Sequence, residues 1–344
     1  MIQINKQNVK QYLIQKGFLN EDEKLEVFEL SGGVSSVLLK LHVRGKCLVL
    51  KQPLEKLKVK AKWTAPLWRS HVEAKCMSFL SSILPKGSVP ELIFDDADNY
   101  IIIMSCIPEE ATLWKDDLMK GNVDLRVAQK AGKYLAIIQN ETFGNDRIKE
   151  EFSRAPLGGL ASYYRVLVEA HPDLTEEIEA LINFSISNKV SLTLADYNPK
   201  NIFVKDDEIT LIDLEAAHWG DQSFDPAMLM THLLLKSVYN FHIKERYIDA
   251  VRVFWKTYNS ELEHKIAGLE EKIVKHIGTL LLARVDGKSP VKYLNEEKRK
   301  IPRAVGRRIL LYHYSTIQQV TDCLNEQIEN FILKKEGKNR NETH

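Results

Sequence analysis

The 344-residue chain lacks any apolar run approaching the roughly 18 residues that a membrane-spanning helix needs. It also lacks an excess of either charge. With 48 Lys and Arg against 47 Asp and Glu the net charge is +1, which gives no electrostatic ground for a nucleic acid or an anionic membrane as partner. Cysteine is scarce: Cys47, Cys76, Cys106 and Cys323 lie far apart with no C-x-x-C spacing. They read as reduced core thiols of a cytosolic protein, not as a zinc or disulfide framework. The N-terminal stretch MIQINKQNVKQYLIQKG is polar and amphipathic and has no signal-peptide apolar region, so a cytoplasmic location is expected. There are no repeats, no low-complexity blocks and no G-x-x-x-x-G-K-S/T sequence, which argues against a P-loop NTPase. A hydrophobic fraction of 44% and a charged fraction of 28% are those of an ordinary globular protein, long enough for two domains.

The chain changes character along its length. NKQNVKQYLIQKGFL has helical periodicity and stops at Gly17; KLEVFELS, SVLLKLHV and KCLVLKQ then read as strands punctuated by GG and RGK. TAPLWRSHVEAKCMSFLSSIL is helical and closes at Pro85 and Gly87, and VPELIFDDADNYIIIMSCIP reads as two strands around a polar turn. Beyond Pro108 helical patterns dominate, except for residues 191–214, which read as two short strands joined around KDDE. The expectation is an α+β chain: a β-rich domain over 1–107 with about five strands and a helix, a mainly helical domain over 108–334 with a small β insert, and a frayed tail at 335–344.

Charge sits where apolar strands end. TLADYNPKNIFV offers Asp196 and Asn201, and TLIDLEAAHWGD offers Asp213 and Glu215, two apart and on one side if the strand continues. Carboxylate and amide oxygens suit Mg²⁺, which borrows water and phosphate oxygens for the rest of its shell. Taken singly, Asp196 and Asn198 also fit turn formers before Pro199. Taken together they would form an acidic pocket in which uncompensated carboxylates repel. Lys51 ends the strand CLVLK and must reach water or meet a charge, with Glu73 on the following helix as a partner. SGGVSS at 31–36, with Gly32, Gly33 and Ser35, allows backbone amides to approach phosphate, although such turns are common. Glycine turn, strand lysine, helical glutamate, then Asp-x4-Asn and a strand-borne Asp is the order of parts in protein-kinase-like phosphotransferases.

In these segments the chain resembles the aminoglycoside phosphotransferase and choline kinase superfamily, and within it the methylthioribose-kinase-type proteins. The resemblance runs over about residues 25–330 and rests on LSGGVSSVLLKL, LVLKQPLEKLKVKAKWTAPLWRSHVEA, DYNPKNIFV, LIDLEAAHWGDQSFDPAMLMTHLLLK and LLARVDGKSP. It implies a bilobal protein-kinase-like fold and an ATP- and Mg²⁺-dependent kinase acting on a hydroxyl of a small metabolite. Asp196 would be the catalytic base; Asn201 and Asp213 would hold Mg²⁺ with Glu215 nearby; Lys51, held by Glu73, would bind nucleotide phosphates. Met104, Ser105 and Cys106 would form the hinge that meets adenine. Asp225 would anchor its loop and helix, or act as an N-cap. A sugar-like or thiosugar acceptor is favoured over an amino alcohol or an aminoglycoside.

The sequence departs from the family pattern at Leu194 and Ala195, which stand where His and Gly usually precede the aspartate. Loss of that histidine's hydrogen bond would slow turnover without removing base, metal ligands or lysine. It also motivates the rival reading of a nucleotide-binding pseudokinase; a protein kinase fits less well, because no A-P-E segment follows Asp213. His218, Trp219 and Arg284 are acceptor-side candidates that serve packing equally well. His171 reads as exposed, and Lys56, Lys58, Lys60 and Lys62 as a solvated face.

Overall fold

Alternating apolar residues in SVLLKLHV and KCLVLKQP, joined by the two-residue turn Arg44–Gly45, build the hairpin at the centre of the N-terminal sheet. Both turn residues have positive φ (52° and 69°), the backbone that matches strand twist in a tight hairpin. The computed structural model describes residues 2–30, 36–55, 66–154 and 159–341. Gly32, Gly33, Ser35 and the lysine series Lys56 to Lys62 lie outside the described residues.

The chain divides into two compact units. The first takes Met1–Ala111 together with Thr210–Ala217. Its elements are α1 (Val9–Gln15), β1 (Glu26–Glu29), β2 (Ser36–Val43), β3 (Lys46–Pro53), α2 (Arg69–Ile83), β4 (Leu92–Asp96) and β5 (Ile101–Ser105), with the five strands ordered β1-β2-β3-β5-β4, all antiparallel. Register places Leu39 opposite Leu50 and Leu41 opposite Leu48. These residues, with Ile101 and Ile103, form a core with Val9, Tyr12 and Leu13 of α1. A β-sheet N-terminal region followed by a mainly helical part is the α+β class expected from the sequence.

Two readings of this unit need correction. Cys47 and Cys106 are not thiols: they form a disulfide, with Cα atoms 5.4 Å apart. Register explains it, since β3 and β5 run antiparallel with Leu48 opposite Ser105, which sets Cys47 beside Cys106. Cys76 and Cys323 are buried and form no disulfide, as expected. The segment carrying Asp213 and Glu215 groups with this unit and not with the helical part. Leu211 N–H donates to Ser88 O at 2.7 Å and the Thr210 hydroxyl to Gly87 O at 2.7 Å, which fastens it there.

The second unit takes Thr112–Arg154, Gly158–Ile209 and His218–His344. In chain order it holds β6 (Thr112–Leu113), α3 (Trp114–Met119), α4 (Leu125–Thr142), α5 (Asp146–Glu151), α6 (Gly159–Tyr164), α7 (Val166–Ala170), α8 (Thr175–Ser187), β7 (Lys189–Thr193), β8 (Ile202–Lys205) and β9 (Glu208–Leu211), whose end passes into the first unit. After these come β10 (His218–Asp221), α9 (Phe224–Tyr239), α10 (Lys244–Glu261), α11 (Leu269–Asp286), α12 (Glu296–Leu311) and α13 (Ile317–Asn341). The β8–β9 hairpin is the expected β insert. The pairing of β7 with β10 and of β6 with β8 was not visible in the sequence. α9 is buried on every side from Phe224 to Val238, its polar residues included. No helix among the described residues is long and apolar enough to cross a membrane.

A buried polar network fixes β10 among the helices. The Asp221 carboxylate accepts from the Ser185 hydroxyl at 2.6 Å, the Ser223 amide and hydroxyl at 2.9 and 2.7 Å, and His276 Nε2 at 3.0 Å, while His276 Nδ1 meets the Tyr164 hydroxyl at 2.8 Å. Burial pushes the Asp221 carboxyl up, but His276, Ser185 and Ser223 outweigh it and hold the pKa below the usual carboxylate range. A depressed folded-state pKa stabilises the fold above the unfolded value of about 3.9 and loses that stabilisation as pH falls through the folded value. Asp221→Ala is therefore expected to cost about 3 kcal/mol or more in denaturant unfolding at pH 7. The cost should shrink in acid, as pH falls through the depressed folded-state value and the wild-type carboxylate is itself protonated. His171, read as exposed, is buried instead: Nε2 meets Asp286 Oδ2 at 2.9 Å and Nδ1 faces Arg307 at 3.3 Å. Asp286 also accepts two hydrogen bonds from Arg303, and a carboxylate with such partners draws the imidazole inward.

Candidate active site

In the first unit the site is built around Lys51. The residue lies near the end of β3, opposite Leu38 on one side and Ile102 on the other. Its side chain is buried, and Nζ sits 2.9 and 2.8 Å from the two oxygens of Glu73, 2.8 Å from Asp213 Oδ1 and 3.3 Å from Glu215 Oε2. Burial pushes the ammonium pKa down, but Asp213, Glu73 and Glu215 overcome that and hold it well above the ordinary lysine value. Glu73 is pushed up to about 7, chiefly by burial; Lys51 opposes the shift while Asp213 and Glu215 add to it.

The pairing of Lys51 with Glu73 is as expected, and Asp213 and Glu215 join them by a different route from the one read in the sequence. β9 ends at Leu211, so the two carboxylates do not share a continuing strand face. Asp213 instead adopts a left-handed backbone with φ 59°, which an aspartate tolerates in a tight turn, and the chain bends both side chains toward Lys51. Arg69, which the sequence gave no reason to single out, is fully buried with Nε 3.3 Å from Glu215 Oε1.

Three carboxylates against the Lys51 ammonium and the Arg69 guanidinium leave one negative charge over. Ligand oxygens of Glu73, Asp213 and Glu215 lie within 4.8 Å of one another. Glu215 Oε2 is buried with the Lys51 ammonium 3.3 Å away and no well-formed hydrogen bond, and the Asp213 side chain is 35% exposed. Clustered hard oxygen donors, one of them loosely held and one open to solvent, fit a divalent cation such as Mg²⁺.

In the second unit the loop after β7 carries Asp196. Asn198 Nδ2 donates to Asp196 Oδ1 at 2.5 Å, Asn201 Nδ2 donates to Oδ2 at 2.9 Å, and Lys200 Nζ stands 2.8 Å from the same Oδ2. Asn198 thus does more than form a turn: it fixes one carboxylate oxygen while also accepting from Lys200 N–H. The loop itself is clamped by Asp225. Its carboxylate accepts Leu194 N–H at 2.6 Å and Ala195 N–H at 2.9 Å, and burial pushes its pKa up to about 7 against those two hydrogen bonds. Asp225 is therefore the loop anchor and not an N-cap; it lies inside the first turn of α9, whose capping position is Ser223. Ala195 has φ 63°, the conformation that makes glycine the common residue at such a position. Leu194 is buried as an apolar plug.

The remaining candidates fall differently. Met104 and Ser105 end β5, and the amides of Ser105 and Cys106 already donate to Glu91 O at 2.9 Å and Cys47 O at 3.2 Å. Trp219 is only 6% exposed, with its backbone N–H donating to Phe152 O at 2.7 Å, so its ring packs the interior and does not offer a face to a ligand. His218 is half-buried beside Thr193 in the β7–β10 ladder. Arg284 ends α11, half-buried, with its guanidinium over the Tyr163 ring at 5.6 Å.

A strand-borne ammonium held among carboxylates that retain room for a hard cation is the device by which protein-kinase-like enzymes meet a triphosphate. The fold agrees. It superposes on an amicoumacin kinase bound to AMP-PNP and Ca²⁺ with a TM-score of 0.54 at 12% identity, over 92% of this chain and 100% of that one. It also superposes on a gentamicin complex of APH(2")-IIa with a TM-score of 0.51 at 15% identity, over 92% and 99%. The chain is a phosphotransferase with a kinase-like fold. It belongs to the phosphotransferase enzyme family, whose sequence profile matches residues 29–263. A methylthioribose kinase from Geobacillus sp. (strain WCH70) is 23% identical over 306 residues, 76% of each chain.

Proposed function

We propose that the protein transfers the γ-phosphoryl group of ATP, with Mg²⁺, to a hydroxyl of a small sugar-like metabolite. The observation that carries this reading is the Asp196 loop, where two amides and an ammonium fix a carboxylate in one orientation. Asp196 accepts the proton of the acceptor alcohol as its oxygen attacks phosphorus in line; the bond from γ-phosphorus to the bridging oxygen breaks, and ADP leaves with that electron pair. Lys51, oriented by Glu73, neutralises nucleotide phosphate oxygens. Asp213 and Glu215 would hold Mg²⁺, which when bound supplies further neutralisation of the charge on the phosphates.

The pseudokinase alternative rests on Leu194 and Ala195. Asp225 weakens it, since two charge-assisted hydrogen bonds to the loop backbone do the holding without a histidine. The thiosugar acceptor is favoured by the methylthioribose kinase relative. Thermal shift with ATP and Mg²⁺, run beside an ADP-release screen over sugars, thiosugars, amino alcohols and aminoglycosides, tests the proposal. Nucleotide stabilisation with turnover of one acceptor class is the expected result; stabilisation with no turnover of anything would favour a scaffold.

A further inference from the structure

Among the described residues, the cations that α9 and α11 carry beside the Asp196 loop are paired with no carboxylate. Lys236 lies on α9 and is 1% exposed, yet its ammonium makes a single hydrogen bond, to His232 O at 3.3 Å, and stands 5.7 Å from the centre of the Tyr293 ring. Arg284, at the end of α11, makes only long contacts, to Ser289 O at 3.4 Å and Met228 Sδ at 3.8 Å, and its Nε is buried without a partner. Among the described residues neither cation forms an ion pair. Met228, Thr231, His232 and Lys236 recur at helical spacing on one face of α9. Around them the Thr231 hydroxyl, His232 Nε2 and the hydroxyls of Tyr163 and Tyr293 are likewise buried and unpartnered.

Burying one ammonium without a counter-ion is costly, and leaving several polar atoms unsatisfied beside it adds to the cost. The strain shows in the titration of the cluster. Burial, with Lys115 and Arg284 adding to it, pulls Lys236 down to about 7, and His232 is pulled well below its ordinary value by burial, Arg284, Lys236 and Lys200. The cluster adjoins the proposed chemistry, because the Tyr163 phenol lies over Arg284 and within the fields of Asp196 and Lys200.

We propose that the acceptor carries an anionic group, a carboxylate or a phosphoryl ester, which Arg284 and Lys236 hold while Asp196 addresses its hydroxyl. This rests on the reading of the chain as an alcohol kinase. The transfer is unchanged: alcohol oxygen to γ-phosphorus, alcohol proton to Asp196, ADP as leaving group. The same charge disfavours a polycationic acceptor, since Arg284 and Lys236 would repel it.

The test sets sugar acids and sugar monophosphates against their neutral parents, methylthioribose and an aminoglycoside, using ADP release and thermal shift. An anionic compound should be turned over with kcat/KM about 100-fold above its neutral parent. Arg284→Gln and Lys236→Met should each remove most of that advantage and leave the ATP KM unchanged, by the usual effect of deleting one buried charge partner. Lys236→Met keeps the volume of the side chain, so its fold survives the change. Preference for a neutral acceptor overturns the inference and leaves the kinase reading standing. So does a rise in the ATP KM in Arg284→Gln, which would reassign that residue to the nucleotide. Silence of every anionic compound in both assays also overturns it. Failure of ATP to stabilise the wild-type protein would instead strike the kinase reading itself.

Discussion

Asp196→Asn should abolish phosphoryl transfer while the protein folds and binds nucleotide as before. The asparagine keeps an oxygen for the amides of Asn198 and Asn201, so the hydrogen bonds that shape the loop survive in part. What disappears is the negative charge that takes the alcohol proton, together with the contact to Lys200 at 2.8 Å. General-base catalysis contributes about 10²–10⁴-fold, so kcat is expected to fall by about 10³-fold, with the nucleotide-induced thermal shift unchanged. Residual activity near the wild-type rate would remove Asp196 from the mechanism. A simultaneous loss of the nucleotide shift would show that the loop had collapsed and that the charge was not the cause.

The second large effect is expected at Lys51. Lys51→Met leaves Glu73, Asp213 and Glu215 within 4.8 Å of one another with no ammonium among them. Removing one member of a buried ion pair destabilises by about 3–5 kcal/mol, because the partner charges remain buried. Phosphate neutralisation is lost at the same stroke, so both turnover and the ATP-induced thermal shift should vanish. The instability has a pH signature. The Glu73 carboxyl is raised chiefly by burial, to about 7 even with Lys51 beside it, and loss of Lys51 removes the opposing influence. A folded carboxyl raised above its unfolded value of about 4.3 binds more protons than the unfolded chain, so stability in that window rises as pH falls. Denaturant unfolding of the variant at pH 8 and pH 5.5 should show the smaller deficit at the lower pH. Equal deficits at both would mean that Glu73 is not the group left unpaired.

Much of this chemistry was legible in the sequence because it depends on residue type and order along single elements. Lys51 at a strand end and Glu73 on the next helix were paired by the need to match a buried charge, and Asp196 with Asn201 by their spacing around one turn. What was hidden depends on how distant segments meet. Cys47 and Cys106 are 59 residues apart, and only the register of β3 against β5 makes them neighbours. Asp225 holds a loop 30 residues upstream, and the sequence left that role level with N-capping. His171 looked like a solvated turn residue because Asp286 and Arg307, which bury it, come from the far end of the chain. Lys236 is legible in its own segment: a lysine inside MLMTHLLLKSVY lies on a helix too apolar to reach the surface, so it is a buried cation.

The link between Cys47 and Cys106 also reaches into the denatured ensemble. A chain melted with that link intact is a closed ring with two tails, and the ring spans β3, α2, β4 and β5. Under the chain-entropy description a ring of this length disfavours the unfolded ensemble by about 4 kcal/mol. Preparations handled with and without thiol reductant are therefore two materials with different melting behaviour, and stability comparisons between variants hold only within one of them.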